Sequence, residues 1–203
     1  LFVAPPNPDA LVQVEELVRA HRFQEARQLR RMLEQPQAVW ITSGTPRETE
    51  TLVRRTMRDA RRQRALPVLV AYNIPFRDCA QFSAGGATTV QEYLDWIDGF
   101  ARGIGRDRAI VILEPDGLGI IPWYTPLGAA GPDWCQPAEA DAATAASERF
   151  FMLNQAIDRF NQQGNVTVYL DGTHTAWLSV PDMTDRLLQA GVERATGFFL
   201  NVS

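Results

Sequence analysis

The segment Ala109–Leu113 is an unbroken apolar run that leads directly into Glu114, Pro115, Asp116 and Gly117. An Ile, Val and Leu run of this length, without alternation, is typical of a strand buried on both faces of a parallel sheet. Such sheets place their chemistry at the carboxyl ends of their strands, where Glu114 and Asp116 are predicted to lie. Desolvation at a strand end raises the pKa of a carboxyl group, so we predict that Asp116 stays protonated near neutral pH and acts as a general acid.

Further apolar runs alternate with helical patterns along the chain, which has 203 residues. Strands are predicted at 38–42, 67–72, 109–114, 166–171 and 197–203. Helices are predicted at 9–33 with an interruption, 44–64, 89–104, 145–161 and 182–190. Asp9 is the predicted N-cap of the first helix, and Trp96 lies in an apolar stripe that predicts a place in the core. Alternating strands and helices indicate an α/β fold with right-handed crossovers and a parallel sheet, either open or closed into a barrel.

The number of predicted strands is small for a closed barrel. A β/α barrel usually needs about 250 residues. A final strand that no helix follows would also leave apolar surface exposed. We therefore expect residues 1–203 to be a single portion of a larger domain, a β/α barrel that lacks its last strands and is incomplete at the C-terminus.

Composition and motifs exclude several classes of function. The net charge of −4 and the lack of a basic block argue against a nucleic-acid partner. No apolar run approaches the roughly 20 residues that span a bilayer, which argues against a membrane partner. The glycine-rich nucleotide motifs and the Gly-x-Ser-x-Gly elbow are absent from the sequence. Asp171 and His174 with Asp116 would be a poorly supported metal site, so we expect neither a metal nor a cofactor, and metal-assisted hydrolysis stays a minor alternative.

The two cysteines, Cys79 and Cys135, are 56 positions apart. They are either two buried free thiols of a cytosolic protein or one disulfide of a secreted protein. Their spacing alone does not decide between these interpretations.

Polar and aromatic residues follow the predicted strands, and parallel strands bring such residues to one edge of the sheet. They are Trp40, Thr42, Tyr72, Arg77, Asp78, Glu114, Asp116, Asp171, His174, Trp177 and Asn201. Indoles that stack on sugar rings and acids that bind hydroxyl groups are suited to a sugar chain. Two carboxyl groups on either side of a bond are what glycoside hydrolysis requires. Asp78 could raise the proton affinity of Asp116 by like-charge repulsion, or could simply pair with its neighbour Arg77.

Four segments in order resemble the signatures of glycoside hydrolase family six, the inverting cellulases. They are Val70–Gly86, which contains Arg-Asp-Cys at 77–79, Ile112–Leu118, Val168–His174 and Gly197–Ser203. The resemblance implies a distorted seven-stranded parallel β/α barrel, of which about five βα units are present here. It also implies secretion and hydrolysis of β-1,4-glucan with inversion at the anomeric carbon.

The resemblance implies a role for each matching residue. Asp116 resembles the general acid, and Asp78 resembles the acid that raises the pKa of the general acid and relays the proton from the water. Tyr72 is similar to the tyrosine that favours a distorted sugar ring, Ser83 to the serine that seats the water, and Arg77 belongs to the same catalytic motif. Predicted substrate-binding or site-shaping residues are Trp40, Asp171, His174, Trp177 and Asn201. Cys79 and Cys135 match a disulfide that fixes the catalytic loop.

The expected protein is an extracellular, monomeric cellulase that acts on cellulose or soluble β-glucan, and endo action is favoured over processive action. The family pattern continues after Asn201-Val202-Ser203 with strands that carry a Lys, a Trp and a further acid, none of which is in this sequence. The alternative is therefore a remnant that binds glucan without cutting it.

Overall fold

The computed structural model describes residues 1–124, 135–175 and 177–201. Its sheet has five parallel strands in the order β1-β2-β3-β4-β5. The strands are β1 (Val39–Ile41), β2 (Val68–Ala71), β3 (Ala109–Leu113), β4 (Val166–Asp171) and β5 (Gly197–Phe199). The helices are α1 (Pro8–Arg19), α2 (Phe23–Leu33), α3 (Pro46–Arg62), α4 (Val90–Ile104), α5 (Ala145–Asn161) and α6 (Val180–Gln189). Short 3₁₀ turns lie at Asp78–Ala80 and Val192–Arg194.

The strands lie in the sheet in the same order as in the sequence, which is the arrangement of a β/α barrel rather than of a doubly wound sheet. One buried cluster joins α3, α4, α5 and α6 to alternate residues of the strands. In β3, Ala109, Val111 and Leu113 are buried, whereas Ile110 and Ile112 are only partly buried. The prediction that β3 is buried on both faces is therefore wrong, because the helices cover one side of the sheet.

Local capping explains where several helices begin. Asn7, rather than the predicted Asp9, is the N-cap of α1, and its side chain accepts a hydrogen bond from the Asp9 N–H at 2.9 Å. Asp9 lies in the first turn instead, where a negative charge is favourable. The interruption predicted within residues 9–33 is confirmed: α1 and α2 are separate helices, and His21 adopts a positive φ of 58° between them. Ser179 caps α6, which begins two residues before its predicted start at Asp182.

Helix α4 packs closely against α3 and against the segment that follows β1. A Cβ atom at Gly99 would lie 2.2 Å from the carbonyl oxygen of Pro46, so only glycine permits this approach. Trp96 is buried in the core, as its stripe predicted, and its indole N–H donates to the Ser43 carbonyl at 3.4 Å. This contact fixes the segment that follows β1.

Two predicted segments extend beyond the described residues. The end of the fifth predicted strand, Val202 and Ser203, lies outside them, and so do residues 125–134 of the long connection after β3. None of the helices in the described ranges is both long and apolar enough to cross a membrane.

Candidate active site

The loops that follow the strands adopt backbone conformations that are rare for residues with side chains. Ten non-glycine residues of the described chain have positive φ, and most of them belong to these loops. Those at the strand ends are Phe76, Asp78, Cys79, Glu114, Asp116, Thr173 and Asn201. Such conformations cost free energy and cluster at functional sites, where the surrounding structure imposes them. The carboxyl edge of the sheet therefore has the features of a site.

Tyr72, immediately after β2, is the centre of this edge. Its ring contacts Trp40 edge to face with 5.5 Å between ring centroids, and the Arg77 guanidinium lies 4.6 Å from its centroid. Burial raises the pKa of the Tyr72 phenol, and the negative charges of Asp116 and Asp78 raise it further. Arg77 and a hydrogen bond from Ser83 act in the opposite direction. The structure thus brings both predicted catalytic acids within electrostatic reach of one phenol.

Arg77 organises the loop after β2. Its guanidinium donates to the carbonyl oxygens of Thr42, Tyr72, Ser83 and Ala84 at 2.6 to 3.2 Å. Asp78 instead accepts the Ser83 N–H at 2.7 Å. Among the ion pairs of the described residues, no Arg77 to Asp78 pair occurs, so the alternative of a simple pair between neighbours is wrong.

Cys79 and Cys135 form a disulfide with 5.7 Å between their Cα atoms. This resolves the choice that the sequence left open, in favour of the pairing that the family resemblance implied. Cys79 lies beside Asp78, and the Cys135 carbonyl accepts the N–H of Trp123 at 2.9 Å. The bond therefore connects the loop after β2 to the connection that follows Asp116.

Asp171, at the end of β4, is in direct contact with the backbone of Asp116. Its carboxylate accepts the backbone N–H of Asp116 and, at 2.9 Å, that of Thr173. Burial raises the pKa of Asp171 to about 6, and the charge of Asp116 contributes in the same direction, while these two hydrogen bonds lower it. Asp171 is 2% exposed. It is therefore placed to shape the site, and direct contact with a sugar stays a prediction.

Two exposed indoles lie at this edge. Trp40 is 47% exposed and Trp177 is 48% exposed, which leaves area for a ligand to stack on. Trp177 lies against the backbone of Gly119, where a Cβ atom would be 2.7 Å from the indole ring. The backbone of the loop after Asp116 thus packs against the Trp177 ring.

The two remaining predicted residues lie near Trp177. The Asn201 side chain accepts the Thr175 N–H at 3.1 Å, so it connects the segment after β5 to the loop after β4. His174 is exposed in that loop, and its carbonyl accepts the Trp177 N–H at 3.0 Å. The structure therefore brings the predicted residues of β4 and β5 together.

Sequence reasoning gave no role to two buried arginines. Arg149 of α5 donates to the carbonyls of Pro75, Gly117 and Ile120 at 2.6 to 3.0 Å. Arg186 of α6 donates to those of Leu118 and Gly119 at 2.5 and 3.4 Å, and its guanidinium lies 4.7 Å from the Tyr124 ring centroid. In the sequence, each arginine lies among the apolar residues of the buried face of its helix, and this position could have indicated that it is buried.

Glu114 is fully buried. The sequence predicted its place at the end of a strand but not its depth. Its carboxylate accepts the N–H groups of Asn73 and Ile74 at 3.0 to 3.1 Å. Burial raises its pKa to about 7, although these hydrogen bonds and the charge of Arg149 act in the opposite direction. The Tyr93 hydroxyl faces the carboxylate outside ordinary hydrogen-bond geometry, yet close enough for each group to affect the pKa of the other.

We expect the free energy of unfolding to fall as the pH rises from about 4.5 to 7. The pKa of Glu114 in the folded protein, about 7, is above its ordinary value of 4.5, and that of Asp171 is about 6 against 3.8. A raised pKa means that the folded state binds the proton more tightly, so this stability is complete below the ordinary pKa and is lost as the pH passes the raised one. At about 1.4 kcal/mol per pKa unit, Glu114 contributes of the order of 3 kcal/mol.

Urea unfolding at pH 4.5, 6 and 7.5 measures this dependence. Glu114→Gln should reduce the slope and leave the part due to Asp171, whereas Glu16→Gln, at an exposed carboxyl on α1, should leave the dependence as in the wild type. An equally steep dependence in Glu114→Gln would show that Glu114 is not the group responsible.

Among the described residues, no group of three or more His, Cys, Asp and Glu side chains is placed to share a metal ion.

Comparison with known proteins identifies relatives that are named endoglucanases. Endoglucanase 1 of Streptomyces halstedii is 44% identical over 142 residues, which cover 68% of this chain and 38% of that protein. Endoglucanase A of Cellulomonas fimi is 37% identical over 137 residues, which cover 68% of this chain and 26% of that protein. The chain therefore spans less than half the length of these curated relatives.

A solved structure extends the likeness to the whole chain. The endoglucanase Cel6 of Mycobacterium tuberculosis, in complex with methyl-cellobiosyl-4-deoxy-4-thio-β-D-cellobioside, has a TM-score of 0.79 and 31% sequence identity. The match covers 100% of this chain and 61% of that one. The model of the family described as glycosyl hydrolases family 6 matches residues 1–203. From this match over its full extent, together with the strand order and the sites at the strand ends, we conclude that the chain belongs to glycosyl hydrolases family 6.

Proposed function

We propose that the full-length protein hydrolyses β-1,4-glucosidic bonds in cellulose or soluble β-glucan. The observation that carries the proposal is the placement of Asp116 and Asp78, whose charges both act on the Tyr72 phenol next to the exposed Trp40. Acids beside an aromatic surface are what a glycosidase needs to hold a sugar and protonate the bond. The names of the relatives, endoglucanases, support the same substrate class.

Asp116 is the proposed general acid, which gives its proton to the oxygen that leaves the anomeric carbon. The charge of Asp116 raises the pKa of Asp171, and an interaction between two charges is mutual. We propose that Asp171 acts in return on Asp116 and favours its protonated form, which a general acid at near-neutral pH requires. This partner is additional to Asp78, which the family resemblance assigns to the same purpose.

A water on the opposite face of the ring is the proposed nucleophile. Asp78 accepts the Ser83 N–H at 2.7 Å, and the Ser83 side chain is close enough to the Tyr72 phenol to lower its pKa. We propose that Ser83 seats the water and that Asp78 relays its proton, while Arg77 fixes the loop that carries both. Attack by water in a single displacement inverts the anomeric configuration.

Substrate contacts are proposed for the exposed residues of the same edge. Trp40 and Trp177 would stack on sugar rings at two ends of the site, and Tyr72 would crowd the ring next to the cleaved bond. His174 and Asn201 lie beside Trp177, where hydroxyl groups of that sugar would be in reach.

We further propose endo action by a secreted monomer. The relatives with the higher identities carry endoglucanase names, although Exoglucanase 2 of Hypocrea jecorina is also 30% identical over 128 residues. The disulfide between Cys79 and Cys135 supports an extracellular location, since such bonds persist outside the cytosol.

Two measurements on the full-length protein test the proposal. Release of reducing sugar from carboxymethylcellulose should accompany retardation in a glucan affinity gel, and NMR of the products of cellotetraose should show the α-anomer first. Retardation without sugar release would instead support the alternative, a glucan-binding protein without activity. A β-anomer as first product would contradict inversion.

A further inference from the structure

The two loops that carry the proposed catalytic acids are connected through the protein interior. The β2 loop, residues 72–80, carries Asp78, and the β3 loop, residues 114–120, carries Asp116. Two buried side chains, Glu114 and Arg149, connect one loop to the other, and we call this pair the loop clamp. Both are at most 2% exposed.

Glu114 holds the β2 loop by its backbone N–H groups. Its carboxylate accepts from Asn73 at 3.0 and 3.1 Å and from Ile74 at 3.1 Å, across 41 and 40 positions of sequence. Hydrogen bonds to a charged acceptor in a dry environment are stronger than those between neutral groups. The side chain of a β3-loop residue therefore determines where the β2 loop begins.

Arg149 holds both loops by their carbonyl oxygens. One guanidinium nitrogen donates to Gly117 at 2.6 Å and Ile120 at 3.0 Å in the β3 loop. The other donates to Pro75 at 2.7 Å in the β2 loop. A single rigid guanidinium thus bridges the two loops, which the shorter, single-headed ammonium of a lysine could not do.

The positions held by the loop clamp lie next to the two proposed catalytic acids, Asp116 and Asp78, both of which have a positive φ. Asp116 has a φ of 61° and lies between Glu114, which is part of the clamp, and Gly117, whose carbonyl Arg149 holds. Asp78 has a φ of 55° and follows the held positions Ile74 and Pro75. Such conformations persist only where surrounding contacts impose them.

We propose that Glu114 and Arg149 are positioning residues that hold the β2 and β3 loops at a fixed separation and so determine the distance between Asp78 and Asp116. This inference rests on the proposed function, because the distance matters only if both acids act on one bond. The charged or titratable groups that face the clamp are Tyr93 of α4, next to Glu114, and Arg186 of α6, next to Arg149.

Steady-state kinetics of variants of the full-length protein on cellotetraose test the role. Arg149→Lys keeps the charge and removes the bridge, so we expect kcat to fall about 10- to 100-fold while KM changes less than about threefold, because a displacement near 1 Å can cost about that much in rate. Glu114→Gln should lower kcat in the same way. The matched control is Arg159→Lys on the same helix, because Arg159 pairs with Asp98 away from both loops and its loss should leave kcat unchanged.

A double variant separates positioning from stability. Glu114→Gln with Arg149→Met removes both buried ionisable groups, so it should be more stable than Arg149→Met alone, in which the buried Glu114 carboxyl loses the positive charge that opposes its desolvation. We expect the double variant to remain at least 10-fold slow although it is folded. Recovery of kcat together with stability would overturn the positioning role.

Hydrogen exchange supplies a readout that does not depend on activity. In Glu114→Gln, amides of residues 72–80 should exchange faster than in the wild type, while those of α3 and α4 should not change. Unchanged exchange at 72–80 would overturn the inference. If the wild type does not hydrolyse glucan, the proposed function fails, and the exchange data alone then decide whether the clamp holds the loops.

Discussion

Asp116→Asn is expected to lower kcat on soluble β-glucan about 10³-fold with little change in the affinity for the glucan. An amide of nearly the same shape keeps the contacts of the carboxyl group but cannot give a proton to the leaving oxygen, and general acid catalysis is worth about 10² to 10⁴ in rate. The measurement is reducing-sugar release, compared with retardation in an affinity gel.

A substrate with a good leaving group separates loss of the acid from loss of the fold. Dinitrophenyl cellobioside needs little protonation, so Asp116→Asn should cleave it at a rate much closer to that of the wild type. Asp95→Asn, at an exposed carboxyl of α4, should match the wild type on both substrates. Full activity of Asp116→Asn on β-glucan would refute the assignment of the acid.

Removal of the disulfide by Cys79→Ala with Cys135→Ala should lower the free energy of unfolding by about 4 kcal/mol. The bond closes a loop with a sequence separation of 56, and the chain-entropy model assigns about 4 kcal/mol to a loop of that size. Because Cys79 follows Asp78 directly, we also expect the double variant to lose activity through a less restrained β2 loop. Guanidinium unfolding of the full-length protein measures the first effect, and the kcat on β-glucan measures the second.

Reduction provides the control. A reducing agent should lower the stability of the wild type toward that of the double variant and should leave the double variant unchanged. A loss below about 1 kcal/mol would show that other contacts restrain the unfolded or the folded chain at this point.

The number of strands, their parallel direction and the burial of Trp96 followed from local patterns, whereas the order of the strands in the sheet did not. The continuous apolar runs of β2, β3 and β4 and the stripe of about 3.6-residue period around Trp96 are patterns within single segments, and each indicates burial without knowledge of the rest of the chain. The boundaries were less well predicted at Asp9 and Asp182, because capping depends on which neighbouring side chain reaches the free N–H groups. Burial of both faces of β3 was wrong, because a run of Ile and Val does not show how many layers cover it.

Local sequence patterns also predicted which residues lie at the carboxyl edge of the sheet. Residues after parallel strands gather at one edge whatever the details of packing, so Tyr72, Asp78, Asp116 and Trp177 could be assigned to one place in advance. Their partners could not be assigned in this way. Arg77 was considered as an ion-pair partner of Asp78, whereas in the structure its guanidinium donates to carbonyl oxygens instead.

The sequence by itself determined that this chain forms parallel βα units with acids and indoles at the strand ends, since periodicity and residue type are properties of neighbours along the chain. Only the tertiary structure decided that Asp171 lies beneath Asp116, 55 positions away, and that Arg149 reaches Pro75, 74 positions away. The physical reason is that a buried charge is tolerated only where hydrogen-bond partners surround it, and those partners are brought together by packing of the whole sheet and its helices.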